Sequence, residues 1–340
     1  MAFQGRINQE QLKGKQFHVR KTVIGIFFIS LIIRIVLVLG YPQFAPDTQI
    51  YDTIALNLTR GLGYTVDGST PHVIRPPLYP FFLAGIYSVF GHSLLAVRLI
   101  QAVIGSITVI FVCKLGLTIS DNRMVGIVSA LIACFYPRLL MPVAYVLSES
   151  LTTFLLIVSV WLLTESIKRC KITLGLGAGF LLGLVTLSLP ATLAFAAFSC
   201  AGLFLIYRRS RRWFPLWAGF SVAMMIAIAP WTIRNYVAFK TFIPVAIDVG
   251  TGGSYLELGG DYNVLDYSIL VLFIIGIFLP HIRSRERWIP IMMIVYFALS
   301  HTIFLAVPRY QITIAPLILT FAGSGLVKLF KSIHFALTRR

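Results

Sequence analysis

The stretch Val23-Ile-Gly-Ile-Phe-Phe-Ile-Ser-Leu-Ile-Ile-Arg-Ile-Val-Leu-Val-Leu39 decides the fold class. Ser30 and Arg34 are its only polar side chains. With its neutral flanks it approaches the roughly 17–25 residues that an apolar helix needs to cross a bilayer. Leu151–Leu163 and Ile269–Leu279 are runs of the same kind. The whole chain follows suit, with 58% hydrophobic and 12% charged residues and a mean hydropathy of +0.86. A soluble domain carries about a quarter charged residues. The 340 residues therefore count helices, and the expected fold class is an all-α polytopic membrane protein.

A net charge of +17 raises the question of nucleic acid, and the placement of the charges answers it. Short polar gaps at 1–21, 120–123, 165–171, 208–213, 281–288 and 328–340, with Lys114, hold 21 of the 29 Lys and Arg residues. The other side holds Asp47, Asp52, Asp67, Glu149, Asp248, Glu257, Asp261 and Asp266. Basic residues concentrated in short loops on one side orient membrane helices with that side cytoplasmic. The basic gaps are too short and scattered to form a groove for a phosphate backbone, so no nucleic-acid partner is expected.

About ten spans result, near 22–40, 94–118, 124–146, 150–164, 172–190, 192–207, 214–232, 267–280, 289–307 and 310–328. Pro190 marks either a turn or a kink. The expected organisation is a basic cytoplasmic segment at 1–21, a transmembrane domain at 22–328 and a basic cytoplasmic tail at 329–340. The first apolar run lacks a small-residue cleavage site and reads as a retained anchor. Cys113, Cys134, Cys170 and Cys200 have no CxxC spacing and imply neither a disulfide framework nor a zinc site.

Two external loops, 41–93 and 237–266, remain. In the first, Ile54, Ala55 and Leu58 share a helical face opposite Asp52 and Asn57, and Pro77–Phe90 is short and aromatic. Both stretches read as interfacial helices. The second loop is Gly-rich and carries acidic residues. The functional face is expected on this side, in a cell membrane and turned to the periplasm or exterior.

Asp47 follows Pro46 just beyond the first span, where a carboxylate can take a proton from a hydroxyl acceptor. It can equally serve the start of a helix. Glu149 opens the fourth span at the same level, where the helix dipole also favours it. Two such carboxylates can hold a divalent metal or orient a sugar hydroxyl, and spacing does not separate these roles. Arg75, Arg234 and Arg309 break the charge rule, each beside Pro and aromatic residues. A guanidinium fork binds phosphate bidentately, which suits a lipid phosphate. Arg34 and Arg138, inside spans, need partners or water. His72 and His301 are lone histidines read as structural, and the sequon at Asn57 is discounted because its helix lies in the interface.

Together, Asp47-x-x-x-Tyr51, Arg75-Pro-Pro-Leu-Tyr-Pro80, Glu149, Pro230-Trp-x-x-Arg-Asn-Tyr236 and Arg309-Tyr310 resemble the GT-C membrane glycosyltransferases. The branch most similar is the protein O-mannosyltransferase-like one, which includes the aminoarabinose lipid A transferases. The resemblance runs from about 22 to 328. It implies an inverting transfer of a sugar from a polyprenyl-phosphate carrier to a glycan, lipid or protein acceptor on the external face. Asp47 matches the candidate general base, Glu149 the second external acid and Arg75 a donor-phosphate residue. Arg234 and Arg309 are further donor-phosphate candidates, and Tyr51, Tyr79 and Tyr310 the expected pocket lining. Thr48 stands where many members carry a second acid. Ile74 replaces the acidic metal ligand of the aminoarabinose branch, so no metal residues are assigned, and a divalent metal is the one cofactor considered. The chain is short for the family, with Asp261–Ser268 leading almost directly into a span. The alternatives are a lipid or sugar-lipid transporter and an inactive scaffold of the same fold.

Gly68→Cys and Gly252→Cys are expected to react with an impermeant thiol reagent added outside intact cells, and Ser210→Cys to stay unlabelled. Protection of either external cysteine overturns the topology.

Overall fold

The computed structural model describes residues 2–41, 46–207, 213–247, 264–278, 285–303 and 310–338; for 2–20, 46, 301–303, 310 and 336 it describes backbone only. Thirteen α-helices occur among them, and the only β pairing is one isolated bridge between Thr65 and Pro71. In chain order they are α1 (Ala2–Gly40), α2 (Pro46–Thr59), α3 (Leu78–Phe90), α4 (Leu94–Ser120) and α5 (Arg123–Phe135). Then follow α6 (Pro137–Leu140), α7 (Glu149–Arg169), α8 (Ile172–Thr186), α9 (Phe195–Tyr207) and α10 (Trp213–Phe239). The last three are α11 (Val264–Phe278), α12 (Trp288–Ile303) and α13 (Tyr310–Thr338).

Six helices among the described residues are long and apolar enough to cross a membrane: the 21–40 part of α1, α4, α7, Pro190–Tyr207, α10 and the 311–335 part of α13. α8 and α11 are apolar but shorter. The expected span 124–146 is different in kind. α5 stops at Phe135, and the chain turns by 70° into Pro137–Val143. Pro137 and Pro142 each lack an amide hydrogen, and proline disfavours helix in the residue before it, so a straight helix cannot run through both. Pro190 marks a turn, since α8 ends at Thr186 and a single 3-10 turn, Pro190–Thr192, leads on toward α9. The boundaries expected at 21/22 and 328/329 fall inside α1 and α13.

α7 and α13 form the centre, with 83% and 78% of their apolar windows buried, against 22% for α1. Phe28, Ile32, Val36 and Leu39 leave α1 on its exposed face, where lipid takes the place of protein. With no hydrophobic force to join helices in hydrocarbon, small residues that admit close contact do the joining. α8 meets α10 at Gly179, where an added Cβ would collide with the carbonyl oxygen of Phe220. α11 meets α13 at Gly276, against the carbonyl of Phe321, and at Gly325, against that of Leu272.

α2 and α3 pack on each other and carry the loop 60–77 between them. Asp52 of α2 accepts from Tyr87 of α3 at 2.6 Å and meets His92 Nε2 at 2.9 Å, which closes the pair onto the start of α4. Ile54 and Ala55 are buried as expected, but so is Asn57, placed by periodicity on the polar face. Its amide nitrogen donates to the carbonyls of Thr65 and Val66 at 3.0 and 3.2 Å. Those bonds make burial of the amide affordable and rule it out as an open acceptor for a glycan. Of the second external loop, 248–263 lie outside the described residues.

Gly179→Ala is expected to destabilise the protein by about 1–3 kcal/mol, the cost of overpacking a close contact. Gly25→Ala, with nothing within 4 Å of the new Cβ, is expected to leave stability unchanged or slightly raised. Thermal midpoints of the two detergent-purified variants check this, and equal midpoints contradict the close α8–α10 approach.

Candidate active site

Asp47 lies in the first turn of α2, fixed by its neighbour. Thr48 is buried and donates from its hydroxyl to the carbonyl of Val146 at 3.2 Å. That bond ties the start of α2 to the segment leading into α7, three residues before Glu149. One Asp47 oxygen accepts from Arg75 Nη2 at 2.7 Å, with the two side chains 20% and 26% exposed. The Arg75 guanidinium stands 5.9 Å from the centre of the Tyr51 ring, one turn along α2 from Asp47. Tyr51 meets Tyr79 edge to face at 5.2 Å. A carboxylate, a guanidinium and two rings thus converge from α2, the following loop and α3.

Tyr79 is buried and donates to Gln101 Oε1 at 2.6 Å, and Gln101 Nε2 donates to the Tyr145 carbonyl at 2.8 Å. Glu149, itself buried in the first turn of α7, and Arg98 in α4 both act electrostatically on the Tyr79 hydroxyl. Glu149 is therefore near the Tyr79 hydroxyl and more buried than Asp47. Gln101 and Arg98 were not singled out from the sequence, since a single polar residue in an apolar helix carries no spacing.

Arg234, near the end of α10, reaches the same loop from its other side. Its Nη1 donates to the carbonyl of His72 at 2.9 Å and its Nη2 to that of Tyr64 at 3.4 Å. The guanidinium stacks over Trp231 at 4.7 Å and Tyr64 at 5.6 Å. Asn235, fully buried, donates to the carbonyls of Ile243 and Val245. Arg309 lies outside the described residues, as does the side chain of Tyr310, the first residue of α13. Among the described residues no three His, Cys, Asp or Glu side chains converge on a metal-sized site.

The two arginines inside spans have partners. Arg34 is buried and donates to the Ser30 hydroxyl, the Ser30 carbonyl and, at 3.4 Å, the Leu139 carbonyl. Arg138 meets Asp266 through Nε and Nη2, both at 3.1 Å, and the Tyr136 hydroxyl adds a third bond to Asp266 at 2.7 Å. This network forms the polar wall of an otherwise apolar cavity of about 640 Å³, lined by Leu270, Phe273, Phe297 and Ile318 among others.

The family model described as dolichyl-phosphate-mannose-protein mannosyltransferase matches residues 74–234, from the doublet Ile74-Arg75 to Arg234. No curated protein matches the chain by sequence. Among solved structures, ArnT from Cupriavidus metallidurans bound to undecaprenyl phosphate superposes with a TM-score of 0.66 at 14% identity. The match covers 92% of this chain and 60% of that one. The fold is that of the GT-C glycosyltransferases. The archaeal oligosaccharyltransferase AglB from Archaeoglobus fulgidus, in complex with an inhibitory peptide and a dolichol-phosphate, gives a TM-score of 0.64 at 11% identity. That match covers 95% of this chain and 52% of the other, so this chain spans between half and two thirds of the structures it resembles.

Tyr79→Phe removes the hydroxyl that donates to the buried Gln101 oxygen and is expected to cost about 1–3 kcal/mol. A thermal midpoint equal to that of the parent contradicts this placement of Tyr79.

Proposed function

We propose that the protein is an inverting glycosyltransferase that moves a sugar from a polyprenyl-phosphate carrier to a glycan, lipid or protein acceptor on the external face of the cell membrane. The observation that carries the proposal is the contact of Asp47 with Arg75 at 2.7 Å, at a helix start beyond the first span and against Tyr51. The undecaprenyl phosphate in the ArnT structure and the dolichol-phosphate in the AglB structure support the choice of donor class.

The chemistry follows from what each group does well. A phosphate is a better bidentate partner for a guanidinium than a single carboxylate oxygen. The arriving donor takes Arg75, and Asp47 is left to receive an acceptor hydroxyl. The acceptor oxygen attacks the anomeric carbon from the face opposite the phosphate, and its proton passes to Asp47. The bond from the anomeric carbon to the phosphate oxygen breaks, and its electron pair departs on the carrier phosphate, held by Arg75. Charge held on the leaving phosphate takes the place of a general acid. One displacement inverts the anomeric centre.

Glu149 orients sugar hydroxyls in this reading, and Tyr51 and Tyr79, both buried, back the Asp47–Arg75 pair. Arg234 serves the donor indirectly in this reading, by holding the loop that bears Arg75; Arg309 remains a candidate second phosphate ligand. The 640 Å³ cavity between α11, α12 and α13 suits hydrocarbon, whether of the carrier or of a lipid acceptor.

Asp47→Asn is expected to lower transfer about 10²–10⁴-fold, the range typical of a lost base. Polyprenyl-phosphate binding is expected to stay equal or tighten, because Arg75 loses its competitor. Arg75→Ala is expected to weaken that binding, with Arg75→Lys rescuing it in part for want of a planar fork. Transfer by Asp47→Asn near the parent rate moves the base to Glu149, since Asn serves a helix start as well as Asp does.

A further inference from the structure

Arg75 sits in the loop between α2 and α3, whose tip is closed by the Asp67 turn and the Thr65–Pro71 bridge but whose last stretch, up to Pro76, has no such closure of its own. The stretch between α2 and α3 turns through Gly61, Gly63 and Gly68, all at positive φ. An ion pair between a helix and such a loop has little worth unless the loop is held by something else. His72 is what holds it. Its Nε2 accepts the backbone amide of Arg75 at 3.2 Å, and its own carbonyl accepts from Arg234 at 2.9 Å. Its backbone amide donates to the Tyr64 carbonyl at 2.9 Å. The Tyr64 hydroxyl then donates to the carbonyls of Arg75 and Pro76 at 3.0 and 3.1 Å. Val73, next along, accepts from the Ile247 amide at 3.2 Å, which joins the loop to the segment after α10.

We infer that His72 is the positioning residue that aims Arg75, linking the Arg75 backbone on one side to Arg234 on the other. The inference rests on the reading of Arg75 as the donor-phosphate ligand, and it adds a residue to that site. Acceptance of an amide hydrogen at Nε2 requires an unprotonated Nε2, so the neutral ring carries its proton on Nδ1. The charged groups facing the ring are Arg75 and Arg234, with the Tyr64 ring tilted over it at 6.1 Å and Asp47 beyond Arg75. Burial first, and the two arginines second, hold its pKa below the usual histidine value. The sign follows. Above about pH 6.5 the histidine is neutral whether the loop is ordered or free, so no penalty operates. As the pH falls below that value a free loop takes up the proton first, and loop order is lost progressively until the folded histidine also titrates.

The test compares the parent with His72→Gln, which keeps a side-chain acceptor and does not titrate, and with His72→Leu, which removes the acceptor. The probe is a short-chain polyprenyl phosphate binding to the full-length protein in detergent. His72→Leu is expected to bind it about threefold to tenfold more weakly at pH 8, the worth of one net hydrogen bond. His72→Gln is expected to restore most of the affinity, and the His72→Leu effect to vanish in an Arg75→Ala background. Acidification to pH 5 is expected to weaken binding more in the parent than in His72→Gln, whose residual slope belongs to the phosphate itself. Tighter parent binding at pH 5 than at pH 8 would overturn the inference, since His72 would then act as a cation on the ligand. Persistence of the His72→Leu effect without Arg75 would overturn it as well.

A second measurement needs no ligand, and so separates failure of the donor reading from failure of this one. Nitroxide labels on Asp47→Cys and Arg75→Cys, with Cys170 and Cys200 replaced by serine, report the approach of loop to helix by dipolar broadening. Broadening is expected in the parent background at pH 8, loss of it with His72→Leu, and retention with His72→Gln at both pH values. Unchanged broadening with His72→Leu sinks the positioning role even where the probe binds as expected.

Discussion

Hydrocarbon supplies no hydrogen-bond partner, so every polar group held at membrane depth has to find one in the protein. That constraint orders this molecule more than any single contact. The intramembrane hydroxyls meet it locally: Ser106, Thr108, Thr164, Thr186 and Thr320 each donate to the carbonyl four residues back. Arg34 meets it in part, through Ser30 and the Leu139 carbonyl, which is within reach because the helix has broken at Pro137, while its Nε has no hydrogen-bond partner among the described residues. Arg138 and Asp266 meet it together, with both guanidinium contacts and the Tyr136 hydroxyl satisfying the carboxylate. A buried pair of this kind contributes little net stability, because desolvation offsets the attraction. Its effect is on geometry: it fixes where α11 begins against the bend between α5 and α6.

The same constraint explains why the candidate site lies where it does. Loops with free turns and ionised side chains are confined to the ends of the bundle, and the end bearing α2 and α3 has the longest described stretch of irregular chain. That stretch is held by polar contacts on every side. Asn57 takes the carbonyls of Thr65 and Val66, Tyr64 those of Arg75 and Pro76, and Arg234 those of Tyr64 and His72. Leu78, which opens α3, donates its amide to the Leu187 carbonyl just past α8. Loop and scaffold therefore share one network, and near neighbours of Asp47 and Arg75, Thr48 and His72, tie them to partners far away in sequence, Val146 and Arg234.

How much of this was legible beforehand divides along a physical line. The helices were, because hydropathy is a local property of a run of residues. So were the charged residues beside the apolar runs, because a charge there is a local anomaly; Asp47 and Arg75 were named apart, and the fold brings them to 2.7 Å. The bend at Pro137 had its signal in two prolines five residues apart, and an apolar window of span length concealed it. Asn57 was placed on the polar face because periodicity counts an amide as polar, whereas an amide with its carbonyls at hand is buried without loss. His72 was set aside as lone. Its ring takes the backbone amide of Arg75, three residues on, and its carbonyl takes Arg234 of α10, and backbone groups leave no mark in a sequence.

The Asp47–Arg75 contact has the energetics of a resting state. With the side chains 20% and 26% exposed, solvent screens the attraction, and pairs at that level contribute between zero and about 1 kcal/mol. A deeply buried pair would resist separation, and a fully exposed one would fail to hold Arg75 in place before a donor arrives. The partial exposure lies between these cases. A phosphate brings more charge and two oxygens in the spacing of the guanidinium fork, so exchange of carboxylate for phosphate on Arg75 is downhill. The Tyr51 ring beneath the guanidinium stays in contact through that exchange, and it keeps the cation from swinging into solvent as Asp47 is released. In the proposed reaction one weak pair would thereby order two events: the carboxylate becomes available to an acceptor hydroxyl only where the leaving phosphate is already held.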